Sequence, residues 1–75
     1  MIPTNKQKEI ADMQCAVFRK AQKKWNISAS RCTEIFKKYE LLNFIKECYE
    51  LLHVSSYDCV VNDLEDILKN KGVNL

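Results

Sequence analysis

Apolar residues recur at helical spacing along most of the chain. From Asn5 to Trp25 they share one arc of roughly 140° on a helical wheel, with charged side chains opposite. The members of this arc are Ile10, Met13, Val17, Phe18, Ala21 and Trp25. The pattern predicts a first helix over residues 5–25. Gln14 falls inside the arc, so we expect its amide to be hydrogen-bonded to a neighbour or to face a partner.

Two more helices are predicted in the middle of the chain. Ser28 suits the N-cap of a second helix over residues 28–39, whose buried stripe comprises Cys32, Ile35, Phe36 and Tyr39. A third helix is predicted over residues 41–53. Its apolar residues cover about half of the wheel; they are Leu41, Leu42, Phe44, Ile45, Cys48, Tyr49, Leu51 and Leu52. So wide an arc indicates a central core helix packed on more than one side, and any uncovered part is expected to be an interface.

The last segment allows two interpretations. In the first, Ser55 and Ser56 cap a helix that begins at Tyr57. In the second, residues 57–61 are extended because β-branched residues favour that state, and Asn62 caps a shorter helix. Both end at Gly72. We favour the helix, over residues 57–71, after an irregular stretch around residues 54–58.

These patterns predict an all-α fold, a small three- to four-helix bundle that forms a single helical domain over residues 1–75. One Gly and one Pro in 75 residues leave few tight turns, which argues against a sandwich or barrel. No apolar run approaches the roughly 18 residues that a membrane span needs. The first six residues contain no apolar signal sequence, so we expect a cytoplasmic protein.

Candidate chemistry is sparse, and no catalytic, cofactor or metal site is predicted. Cysteines stand at positions 15, 32, 48 and 59 without a C-x-x-C pair, and His53 is the single histidine. Structural zinc usually needs close ligand pairs. Cys48 lies well around the helical wheel from His53, so a Cys–His nucleophile is not expected. We expect free thiols in a reducing compartment, and a protein that is not an enzyme.

Charge is distributed unevenly along the chain, although the net charge is only +2. Residues 1–38 contain nine Lys or Arg and three Asp or Glu, whereas residues 39–75 contain three Lys and seven Asp or Glu. The basic and acidic halves either attract each other within the fold or present different faces to different partners.

Several segments from Asn26 onward resemble a small bacterial family. They are Asn26-Ile27-Ser28, the run from Glu34 to Tyr39, Leu52-His53-Val54, and the run from Val60 to Leu64 that continues to Lys71-Gly72. The family is a domain of unknown function found mainly in gut Firmicutes and related anaerobes. It is matched over most of the chain, more loosely in the first helix. The chain departs from it at Glu40, where the family tends to have Gly, and at Ser55-Ser56, where a Thr/Gly turn is common.

The resemblance implies a binding function. Genes of that family often neighbour genes for an ADP-ribosyltransferase-like protein. The arrangement is similar to a toxin–antitoxin pair in which the small helical member restrains the enzyme. The resemblance assigns no functional residues, so none are carried over.

We therefore expect a non-enzymatic protein-interaction module, an antitoxin-like or accessory partner of an ADP-ribosyltransferase-like protein, with homodimerisation as an extension. The predicted contact residues are aromatic anchors and acidic groups, namely Trp25, Tyr49, Tyr57, Asp58, Glu65 and Asp66. The alternative is a helix-turn-helix-like nucleic-acid-binding regulator that uses Arg19, Lys20, Lys23, Lys24 and Arg31. Nucleic acid is the less favoured partner, because Glu47 and Glu50 on the third helix would repel phosphate. Membrane binding is not expected, since the core needs the apolar face of the first helix.

Overall fold

Five helices account for most of the chain in the computed structural model, which describes residues 4–73 and their side chains from Gln7 onward. They are α1 (Thr4–Trp25), α2 (Ala29–Lys38), α3 (Leu41–Glu47), α4 (Tyr49–Leu52) and α5 (Tyr57–Asn70). Residues 4–73 contain no strand, so the predicted all-α class is confirmed. Of these helices, none is long and apolar enough to cross a membrane.

Serine caps define the starts of α2 and α5. The hydroxyl groups of Ser28 and Ser56 each accept a hydrogen bond from the backbone amide three residues on, at 3.1 and 3.3 Å. The helical interpretation of the last segment is therefore confirmed, and the extended alternative is wrong. Val60 and Val61 are buried in the core, and that packing outweighs their intrinsic preference for strands.

The third helix is interrupted, contrary to the prediction of one helix over residues 41–53. Cys48 separates α3 from α4 with a φ of −99° and a ψ of 13°, outside regular helical geometry. Beyond the break Leu52 is buried, whereas Leu51 is 74% exposed. Residues 4–73 therefore form five helices instead of three to four.

Helix α1 is the common support of the fold, since α2, α3 and α5 all pack against it. Helix α3 also contacts α2, which confirms its packing on more than one side, although α1 takes the central place expected for the third helix. The Gln14 amide donates to the Leu42 carbonyl at 2.8 Å, so this polar interruption of the apolar arc ties α1 to α3. The core comprises Met13, Val17, Ala21, Trp25, Cys32, Ile35, Phe36, Leu41, Ile45, Leu52, Val60, Val61, Leu64 and Leu68.

Candidate functional site

A notch of about 410 Å³ opens where α1, α4 and α5 meet. The lining residues are Glu9, Asp12, Met13, Tyr49, His53 and Tyr57. They come from three separate parts of the chain, and α1 contributes both carboxylates. Two acidic groups and three aromatic rings therefore share one small concave surface.

Tyr49 connects the two sides of this notch. Its hydroxyl donates to Glu9 Oε2 at 3.0 Å, and its ring stacks on His53 with the centroids 5.2 Å apart. Partial burial and the neighbouring Glu9 carboxylate raise the pKa of Tyr49 above its usual value, so the phenol stays protonated and keeps donating. His53 is held a second time, because its Nδ1 lies 3.2 Å from the Glu50 carbonyl oxygen.

The segment from Leu51 to Tyr57 exposes three apolar residues. Leu51 is 74% exposed, Val54 78% and Tyr57 38%. Tyr57 lines the notch, whereas Leu51 stands two residues from both Tyr49 and His53 and therefore points to the opposite side of the helix from them. We name the notch together with Val54, which directly follows His53, the acidic aromatic surface. It comprises Glu9, Asp12, Tyr49, His53, Val54 and Tyr57.

Sequence reasoning identified only part of this surface. Tyr49 and Tyr57 were predicted as contact residues, and the structure brings them to the same notch. Glu9 and Asp12 were missed, since Glu9 is 40 positions away from Tyr49 and no local pattern links the two. Leu51, which the sequence placed in the apolar arc of the third helix, is exposed outside this surface.

Trp25 and Glu65, two other predicted contact residues, bind each other instead. Trp25 is only 8% exposed, and its Nε1 donates to Glu65 Oε2 at 2.9 Å. Its ring packs against Phe36 with the centroids 6.1 Å apart. The expectation that Trp25 is an exposed anchor is therefore wrong, because a ring with one polar atom is better buried where that atom has an acceptor.

The Glu65 carboxylate also accepts from Lys24 Nζ, at 3.0 Å. Desolvation raises the pKa of Glu65, but the hydrogen bonds from Lys24 and Trp25 outweigh it and leave that pKa below its usual value. Asp58 and Asp66, the remaining predicted acidic contacts, are exposed on α5. Asp58 pairs with Lys20 at 3.3 Å and does not line the notch.

The five residues of the nucleic-acid hypothesis are all exposed, but acidic groups offset three of them. Lys20 lies 3.3 Å from Asp58, Lys24 bonds Glu65 and Asn62, and Arg31 lies 3.9 Å from Glu34. A cavity of about 350 Å³ between α1 and α5 is lined by Lys20, Lys23, Lys24, Asp58, Val61 and Asn62. The basic face of α1 thus meets acidic and neutral side chains of α5.

The four cysteines are free thiols. Cys32 is buried, and that burial raises the pKa of its thiol to about 11, whereas Cys15 and Cys59 are exposed. Within residues 4–73, no three His, Cys, Asp or Glu side chains form a group that could hold a metal ion. The notch therefore offers polar and aromatic contacts for binding.

Comparison with known families supports the resemblance in the sequence. A family model described as "Protein of unknown function (DUF3791)" matches residues 12–71, from α1 to the end of α5. The comparisons with curated proteins and with solved structures found no match. Since the matched region spans most of the 75 residues and nearly all of the resembling segments, the chain belongs to the DUF3791 family.

Proposed function

We propose that this domain is a non-enzymatic protein-interaction module that binds a basic partner through the acidic aromatic surface. The observation that carries the proposal is the notch, in which three aromatic rings meet the carboxylates of Glu9 and Asp12. Val54, in the turn after α4, is 78% exposed, and Tyr57 is 38% exposed. Exposed aromatic and apolar groups with a polar rim are typical of interaction sites.

Charge indicates the class of partner. Glu9 and Asp12 line the notch, so its local charge is negative although the chain is net positive. A partner that presents Arg or Lys around an apolar contact would be steered to this surface. The ring of Tyr57 adds a face on which such a cation is stabilised.

Binding is favoured over catalysis by the way in which the single imidazole is used. His53 stacks on Tyr49, and its Nδ1 lies within hydrogen-bonding distance of a backbone carbonyl. No cysteine lines the notch in the described chain, and burial shifts the pKa of the Cys32 thiol towards its unreactive form. These contacts hold the imidazole in a fixed orientation, which favours a role in binding over a role in proton transfer.

The resemblance suggests the identity of the partner. Genes of the similar gut Firmicutes family often lie beside genes for an ADP-ribosyltransferase-like protein, so we propose that the domain is an antitoxin-like or accessory partner of such a protein. Both would act in the cytoplasm. A partner of this kind that presents basic residues at its contact surface would complement Glu9 and Asp12.

Coexpression of the tagged chain with the product of an adjacent ADP-ribosyltransferase-like gene tests the proposal. We expect a complex that survives purification at micromolar concentration. The double variant Val54→Ser with Tyr57→Ser should weaken it at least about tenfold, because the buried apolar area is lost. The matched control is Leu42→Ser, an exposed leucine on another face, which should leave the affinity unchanged.

Two results would contradict this proposal in different ways. Failure to form any complex at micromolar concentration would overturn the antitoxin-like assignment. A complex that tolerates the Val54 and Tyr57 changes but not the Leu42 change would place the interface elsewhere.

Nucleic-acid binding is the second candidate, and one observation favours it. Three exposed lysines, Lys20, Lys23 and Lys24, line a single cavity. Two of them are already paired with Asp58 and Glu65, which reduces the positive charge offered to phosphate. Titration with duplex DNA at several salt concentrations tests this candidate. Binding to phosphate weakens steeply as the salt concentration increases, so an affinity that does not depend on salt would remove it.

A further inference from the structure

A second surface lies on the other flank of α1, where Phe18 and Leu42 form a ridge between two hollows. One hollow, of about 290 Å³, is lined by Ala11, Gln14, Cys15 and Arg19 together with the ridge. The other, of about 440 Å³, is lined by Thr33, Phe36, Lys37, Glu40 and Asn43 together with the ridge. On the helical wheel, Phe18 is roughly 180° from Glu9 and 120° from Asp12, so this face is separate from the acidic aromatic surface.

The ridge is apolar and firmly held. Leu42 is 41% exposed, and its carbonyl accepts from the Gln14 amide at 2.8 Å. The Phe18 ring meets Phe36 edge to face with the centroids 5.0 Å apart, and the Cys32 thiol lies 3.8 Å from the Phe18 carbonyl oxygen. Because the ridge is already held in place, it loses little conformational entropy when another molecule buries it.

The charges of the larger hollow cancel. It carries one cation, Lys37, and one anion, Glu40, both exposed. Neither has an ion-pair partner within the described part of the chain. A strongly acidic or basic partner would leave either Glu40 or Lys37 facing a like charge. A surface that places an anion opposite Lys37 and a cation opposite Glu40 would satisfy both.

We propose that this face binds a second copy of the chain in a two-fold symmetric dimer. Under two-fold symmetry the ridge of each copy enters the larger hollow of the other, and Lys37 of each copy faces Glu40 of the other. The same residues thus supply the knob, the hole, the cation and the anion. A dimer formed here leaves both acidic aromatic surfaces open, so it goes beyond the proposed function and does not depend on it.

Sedimentation velocity of the full chain, from micromolar to millimolar concentration, is the first test. We expect a reversible monomer–dimer equilibrium. Leu42→Glu should abolish the dimer because it buries a charge at the ridge. Leu51→Glu is the matched control, an equally large change at an exposed leucine on the other face, and should leave the equilibrium unchanged. Far-UV circular dichroism verifies that both variants keep their helices.

Charge exchange at the hollow is the second test. Lys37→Glu and Glu40→Lys should each weaken dimerisation by roughly tenfold, because each creates two like-charge contacts across the two-fold axis. The double variant Lys37→Glu with Glu40→Lys should restore the affinity, since opposite charges again face each other. A purely structural effect on α2 would not be reversed by the second substitution.

Three outcomes would overturn the proposal. They are a wild-type chain that stays monomeric at millimolar concentration, a dimer that Leu51→Glu disrupts while Leu42→Glu does not, and a double charge variant no tighter than the single variants. Failure here leaves the coexpression experiment unaffected, because that experiment reports on the opposite flank of α1.

Discussion

At the scale of single residues, Glu40 carries an identifiable backbone strain. Its φ is +53°, in the left-handed region, at the turn between α2 and α3. Non-glycine residues adopt this region at a cost of about 1 kcal/mol. We expect Glu40→Gly to raise the free energy of unfolding by about 0.5–1 kcal/mol, partly offset by the greater freedom of glycine in the unfolded chain. Urea denaturation at micromolar protein concentration measures this change in the free energy of unfolding.

Asn26 provides the control for that prediction, because its φ is also +53°. Asparagine tolerates the left-handed region better than glutamate. The gain from Asn26→Gly should therefore be the smaller of the two. An equal or larger gain at Asn26 would show that backbone strain is not what distinguishes Glu40.

The four thiols should differ widely in reactivity. Burial raises the pKa of Cys32 to about 11, from 9.0, whereas Cys15 and Cys59 are exposed. At pH 8 only about one Cys32 side chain in a thousand is a thiolate, the reactive form. Iodoacetamide followed by peptide mass spectrometry should label Cys15 and Cys59 first and Cys32 last. Labelling of Cys32 as fast as Cys59 would contradict the buried position.

The same thiol makes stability depend on pH at the alkaline end. Because the folded-state pKa lies above the unfolded value, the contribution of the neutral thiol is complete below pH 9 and is lost as the pH rises from 9 towards 11. Cys32→Ala removes that dependence, although it also removes buried volume.

At the scale of elements, the contact between α1 and α5 depends on Glu65. Hydrogen bonds from Lys24 and Trp25 keep the pKa of Glu65 below its usual value. Its stabilising contribution is therefore complete above the unfolded pKa of about 4.5 and is lost as the pH falls through the lower folded value. We expect Glu65→Gln to cost about 1 kcal/mol at neutral pH and to flatten the acid side of the stability profile.

Asp66→Asn is the matched control for Glu65→Gln. Asp66 is the next residue on α5 and is exposed, so its neutralisation should change stability by less than about 0.5 kcal/mol. An equal effect at both positions would mean that overall charge, and not the bonds to Lys24 and Trp25, sets the acid profile.

The helices were predictable to the extent that local rules define them. Ser28, Ser56 and Gly72 stand at the predicted ends, since caps depend on a few neighbouring residues. The break at Cys48 was not predictable, because an unbroken apolar pattern continues through it. The choice between helix and strand at Val60 and Val61 was equally out of reach of local rules, since tertiary burial decides it.

At the scale of the whole molecule, the basic and acidic halves of the chain do meet. Lys20 pairs with Asp58 and Lys24 with Glu65, so α1 and α5 are joined by opposite charges as well as by the core. The pairing uses the lysines on one flank of α1, while Glu9 and Asp12 remain with the notch. Attraction between the halves was one of the two alternatives that the charge distribution offered. Which acids form ion pairs depends on the packing of α5 against α1.

The core is small enough for one ring to decide whether the molecule folds. Phe36 is 2% exposed and contacts the rings of Phe18 and Trp25. Replacing a buried Phe by Ala costs about 3–5 kcal/mol, and a 75-residue domain has a total stability of roughly 4–11 kcal/mol. Phe36→Ala should therefore leave a substantial unfolded population, seen as a large fall in the thermal midpoint by circular dichroism.

Leu51→Ala provides the contrast, because Leu51 is 74% exposed and its truncation should shift stability by less than about 0.5 kcal/mol. If the two variants lost equal stability, the division between a buried core and freely replaceable surface leucines would be wrong. That division also underlies the use of Leu42 and Leu51 in binding experiments. Leu51 is 74% exposed and Leu42 41%, so circular dichroism is measured on each variant to separate a loss of association from a loss of folding.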